Sequence, residues 1–118
     1  MRLLNELLSD EQDASVSFNS NYGLLAHVFS FSIQCIITGT AAGTLKLQGS
    51  ADPVPDARFT PTPPTNWTDI ADTSEPVTGA GTVMYNYREC PGFNWVRVVY
   101  TSSSGTGTMT IRLNTKGM

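Results

Sequence analysis

The sequence predicts an all-β fold, a two-sheet antiparallel sandwich of about eight strands with jelly-roll or immunoglobulin-like connectivity and a short N-terminal arm. Three observations predict it. Apolar residues alternate with polar ones along several runs, as they do on a strand that is half buried. Short clusters of Gly, Ser, Thr, Asn and Pro separate those runs. The composition is rich in strand and turn formers, with fifteen Thr, eleven Ser, ten Gly and seven Pro among 118 residues. A chain of this length holds one core.

Residues 1–12 stand apart. Leu3, Leu4, Leu7 and Leu8 fall at helical spacing, which predicts a short helical arm that packs on its own domain or docks on a neighbour. The sandwich domain is expected over residues 13–118. Val16 and Phe18 open the period-two pattern, and a turn at residues 19–23 follows. The clearest strand sets Phe29, Phe31, Ile33, Cys35 and Ile37 against Ser30, Ser32 and Gln34. A turn at residues 38–43 leads to Leu45 and Leu47 alternating with Thr44, Lys46 and Gln48, which reads as a hairpin.

Residues 50–65 carry five of the seven prolines, which remove ladder donors and predict a long exposed loop. A short strand with Trp67 and Ile70 comes next, and then Val83, Tyr85 and Tyr87 alternate with Met84, Asn86 and Arg88. Residues 93–101 place Val96, Val98 and Tyr100 on one face and Trp95, Arg97 and Val99 on the other. Two apolar faces predict a central strand that is covered on both sides. A turn at residues 102–107 and the alternation of Met109, Ile111 and Leu113 complete a second hairpin signal.

Charge and chemistry narrow the function. A net charge of -3 with seven scattered basic residues offers no footprint for nucleic acid. No stretch is long and apolar enough to span a bilayer, and no secretory cleavage pattern follows the leading leucines. Two cysteines, Cys35 and Cys90, do not make a disulfide framework, so a reducing cytoplasm is expected. The single histidine, His27, adjoins an apolar strand, and no nucleophile elbow occurs. Zinc-ligand spacing is absent. Asp69 with Asp72, or Asp52 with Asp56, are the acid pairs that could meet, and solvated turn acids are their plainer reading. Neither enzyme nor cofactor is expected.

The run GTLKLQGSAD at residues 43–52, NWTDI at 66–70 and WVRVVYTSSSGTGTMTIRLNTKG at 95–117 together resemble a group of small phage-encoded virion proteins. The resemblance spans roughly residues 25–117 and departs from the group in the Pro-rich insertion. It implies a non-enzymatic structural protein of a bacteriophage virion: capsid decoration (cement), or another minor head, neck or tail component. Such a protein is made in the bacterial host cytoplasm and seated on major capsid protein or other virion proteins. It also implies a symmetric homo-oligomer, a trimer being one form.

The residues expected to make partner contacts are Leu3, Leu4, Leu7 and Leu8 in the arm, Phe59 in the Pro-rich loop, and Trp67, Tyr85, Tyr87, Trp95 and Val99 in the sandwich. Core packing is the plainer role of Tyr85, Tyr87, Trp95 and Val99. The alternative function is a carbohydrate-binding module, with Trp67 and Phe59 as its aromatic platform.

Overall fold

The computed structural model describes residues 2–25, 28–52, 63–89 and 92–117, the side chains of residues 2–4, 29 and 117 excepted. Its elements are β1 (Arg2–Asp13), β2 (Phe18–Asn19), β3 (Gly23–Leu24), β4 (Val28–Ile37), β5 (Ala42–Ser50), β6 (Thr68–Asp69), β7 (Glu75–Thr78), β8 (Gly81–Tyr87), β9 (Trp95–Ser104) and β10 (Thr108–Gly117). They form two antiparallel sheets. The four-stranded sheet runs β1-β10-β4-β8, and the six-stranded one runs β2-β9-β5-β6, with β3 also on β9 and β7 also on β5. Because β2 and β3 share one lane, and β6 and β7 another, each sheet is four lanes wide.

Period two decides what lies between the sheets. Phe31, Ile33, Cys35 and Ile37 on β4 meet Met109, Ile111 and Leu113 on β10, all at most 4% exposed. From the other sheet come Leu45 and Leu47, opposite Tyr100 and Val98, and all four are fully buried. Alternating strands of both sheets thus line one core, as an aligned sandwich requires. Within it the Tyr100 hydroxyl finds no hydrogen-bond partner among the described residues. That leaves a cost of about 1–3 kcal/mol set against burial of a ring packed 5.6 Å from Phe18.

Two expectations are corrected. Residues 2–13 are not a helical arm but strand β1, paired with β10 from Arg2↔Gly117 to Asp13↔Thr108. A twelve-residue helix is marginal by itself, whereas a ladder with β10 satisfies the backbone and buries Leu8 to 2% exposure. The register breaks between Leu7 and Ser9 and between Ser9 and Gln12, and Glu11 has φ of 49°. Those bulges shift the side-chain phase, which blurs the period-two signal.

The two hairpins are also absent. β4 and β5 lie in different sheets, as do β9 and β10. Each Gly-rich connection is an arch that carries the chain from one sheet to the other. The arches are neighbours because β4 pairs with β10 and β5 with β9. Alternation reports which face of a strand is buried, and it is silent on whether the next strand lies beside it or across the core. Of the Pro-rich loop read at residues 50–65, Ser50 ends β5, and residues 53–62, Phe59 among them, lie outside the described part.

Candidate functional site

The outer face of the six-stranded sheet carries an aromatic and charged cluster. On β5 and β9 the outward residues pair as Lys46 with Val99, Gln48 with Arg97, and Ser50 with Trp95. Arg97 Nε donates to Gln48 Oε1 at 2.8 Å, and Gln48 Nε2 donates to Asp69 Oδ1 at 2.8 Å. Lys46 Nζ closes the row with an ion pair to Asp69 Oδ2 at 3.0 Å. These side chains are held by cross-strand register, since Gln48 sits opposite both Arg97 and Asp69. The Gln48 and Lys46 hydrogen bonds hold the Asp69 carboxyl below its ordinary value. Partial burial lowers the Arg97 value as well, and a guanidinium stays charged regardless.

Aromatic rings complete the face. The Arg97 guanidinium lies 4.4 Å from the Trp67 ring centroid, a cation–π contact. Tyr22 stands 6.5 Å from Trp67, tilted by 42°, and meets Trp95 edge-on at 5.4 Å. Trp95 points away from the core and is nevertheless only 6% exposed. Its indole Nε1 donates to the Asp52 carbonyl oxygen at 3.1 Å.

Asp52 is the clamp that sets Trp67 in place. Its carboxylate accepts from the Thr65 and Asn66 backbone N–H groups at 2.6 and 3.0 Å, and from Asn66 Nδ2 at 2.9 Å. Its carbonyl accepts from Asn94 Nδ2 and Trp95 Nε1. The two ends of the Pro-rich segment are thereby tied to each other and to the start of β9. A cleft of about 360 Å³ between the end of β5 and residues 66–70 is lined by Gly49, Asn66, Thr68, Asp69, Ile70 and Phe93 among others.

The Asn66 and Thr65 hydrogen bonds lower the Asp52 carboxyl from its ordinary 3.8. A depressed carboxylate contributes stability that is full above the unfolded value and lost as pH falls through the folded one. On acidification the change in tryptophan emission should therefore have its midpoint below pH 3.8, as Asp52 protonates and releases Trp67. In Asp52→Asn that step should vanish. A wild-type midpoint at or above pH 3.8 would show that the clamp does not form.

The sequence-predicted contact residues separate into groups. Trp67, Trp95 and Val99 come together on this face, the first and last half-buried. Tyr85 and Tyr87 lie on β8 and face inward. Tyr85 is 7% exposed and its hydroxyl donates to the Thr73 carbonyl at 2.7 Å. Tyr87 stacks on Phe31 with ring centroids 4.8 Å apart. Leu8 is in the core, and Leu7, one residue away, is 42% exposed on the opposite face of β1. The Leu3 and Leu4 side chains, Phe59, Asp56, His27 and Cys90 lie outside the described residues.

Sequence reasoning missed Tyr22, Gln48 and Asp69 as members of the face. Gln48 was legible from its alternation with Leu47, whereas Tyr22 sits between two-residue strands and carried no periodic signal. Among the described residues, no group of three or more His, Cys, Asp or Glu is placed to hold a metal ion. Cys35 is buried, and burial pushes its thiol up to about 12, so it stays protonated and a poor nucleophile.

No family model matches the chain, and no curated protein sequence matches it. Among solved structures, the fold is similar to the crystal structure of the SPBc2 prophage-derived protein YomS, with a TM-score of 0.58. The superposition covers 97% of this chain and 92% of that one at 10% sequence identity. At such identity the likeness is one of fold.

Proposed function

We propose that this chain is a non-enzymatic structural protein of a bacteriophage virion, a capsid decoration (cement) protein or another minor head or neck component. It acts through contacts with major capsid protein or other virion proteins, and between its own copies. The observation that carries this reading is the end-to-end likeness of fold to a prophage-derived protein, which agrees with the motif resemblance at residues 43–52, 66–70 and 95–117. The lane orders β1-β10-β4-β8 and β2/β3-β9-β5-β6/β7 support a jelly-roll reading of the sandwich, an architecture that viral capsid proteins and lectins both use.

The cluster around Trp67 supports a protein partner over a sugar. A glycan platform needs coplanar exposed rings, whereas here the rings are tilted by 42° and 88°. One face of Trp67 is already occupied by Arg97. A half-buried Trp and Arg beside an exposed Tyr, in a polar surround, are the composition of a protein-contact hot spot.

Gradient-purified particles of the phage that encodes the chain should contain it in fixed ratio to the major capsid protein by mass spectrometry. Electron cryo-microscopy should show it on the particle surface or neck. Trp67→Ala should keep the fold and weaken binding to particles lacking the protein about tenfold or more, the loss usual for an interface Trp. A chain absent from purified particles would overturn the proposal, and specific retention on a glycan array would favour the sugar-binding alternative.

A further inference from the structure

Four lanes end the two sheets, and three of them are guarded against pairing with another strand. β1 is broken by two register shifts and carries Asp10, Glu11 and Asp13. β2 and β3 are two residues each. β6 and β7 are two and four residues, with Asp69, Glu75 and Pro76 among them. Short strands, bulges, charges and prolines are the usual protections of a sheet edge. β8 has none of these. Its seven residues, Gly81–Tyr87, hold an unbroken register against β4, with no proline and no charged side chain.

Among the described residues nothing pairs with the outer side of β8. A free edge of this length presents a row of backbone donors and acceptors that only another extended strand satisfies. Met84, at its centre, is 55% exposed, the most exposed of the large apolar side chains described. Val83 and Tyr87, on the core side of the same strand, remain half-buried.

We infer that β8 pairs antiparallel with β8 of a second copy, about a two-fold axis through Met84. The strand is complementary to itself in that register. Met84 faces the second copy's Met84, Val83 faces its Tyr85 and Tyr85 its Val83, and Thr82 faces its Asn86. Aromatic residues thus meet β-branched ones, apolar meets apolar on the outer face, and no like charges oppose, the combinations that favour cross-strand pairing. The contact is isologous and closes on itself. It joins two four-stranded sheets into one of eight and buries the exposed flank of Tyr87. This names the copy-to-copy contact within the proposed function and in that respect rests on it, although the edge that carries it is a property of the fold alone.

The full chain should scatter light as a dimer, or an even multiple, at concentrations where Met84→Lys has the mass of one chain. That substitution sets two ammonium groups face to face and should leave the circular dichroism of the fold unchanged. In a Cys90→Ser background, Met84→Cys should link to a disulfide dimer on mild oxidation, because directly opposed Cα atoms sit about 4.5–5.5 Å apart, inside the disulfide range. Val16→Cys, where the native side chain is 53% exposed, should stay unlinked. A monomeric or trimeric wild type, or a Met84→Cys chain that fails to link, overturns the contact. If the chain is found on particles while these tests fail, the virion reading stands without β8. If they succeed and the chain is absent from particles, the pairing stands without the virion.

Discussion

Gly105→Val should destabilise the protein by about 3–5 kcal/mol and lower its melting midpoint by roughly 10–20 °C, read by calorimetry or circular dichroism. Gly105 follows the end of β9, in the arch that leads to β10, with φ of 80°. There a β-branched residue is strongly disfavoured. A Cβ at this point would run into the Thr40 carbonyl oxygen of the β4–β5 arch. The two arches are joined by backbone: Thr40 N–H donates to the Thr106 carbonyl at 2.7 Å, and Thr38 N–H to the Thr108 carbonyl at 2.9 Å. The Thr38 and Thr108 hydroxyls add a bond of 2.7 Å. Making room at Gly105 therefore means breaking the seam where both sheets meet. Gly79 separates the two contributions, since its φ is 91° but a Cβ there meets nothing closer than 3.9 Å. Gly79→Ala should cost only about 1 kcal/mol, the conformational part alone. Equal losses at the two sites would mean that the arches are not in contact.

That seam shows what the sequence displayed and what it concealed. Runs such as Phe31 to Ile37 and Met109 to Leu113 declared their buried faces residue by residue, and every one of those inward positions is in the core. The same runs carried no statement of which strand would be the neighbour, because the core face looks alike whether the chain turns back beside itself or crosses over it. Two Gly-rich connections were accordingly read as hairpins where they are arches. The contact face was half legible. Trp95, Arg97 and Val99 share the outer side of one strand by period two. Their grouping with Trp67 depends on Asp52 reaching across to Thr65 and Asn66, a long-range bond with no sequence period. Tyr85 and Tyr87 look like surface anchors only when the second sheet is left out, since their inward face is what that sheet covers.

Leu8→Asp should cost about 4 kcal/mol or more, whereas Leu7→Asp, one residue earlier, should stay within about 1 kcal/mol. The difference follows from strand geometry. Leu8 is 2% exposed among the core side chains, and Leu7 is 42% exposed on the other face. An aspartate at residue 8 loses the apolar burial of a leucine and places a carboxylate where water cannot reach it. In a helix Leu7 and Leu8 would lie about 100° apart on one apolar stripe, and both substitutions would be felt alike. In an arm that docks only on another subunit, neither would unfold the isolated domain, and both would act on assembly. Urea unfolding of the two variants distinguishes the three cases directly. The strand predicts one large and one small change, with the large one also removing β1 from the edge of β10. Released from β1, β10 would expose a ten-residue strand edge, Thr108–Gly117. The Leu8→Asp chain is then expected to aggregate as it unfolds. Two small changes would instead return residues 2–13 to the status of a detachable arm.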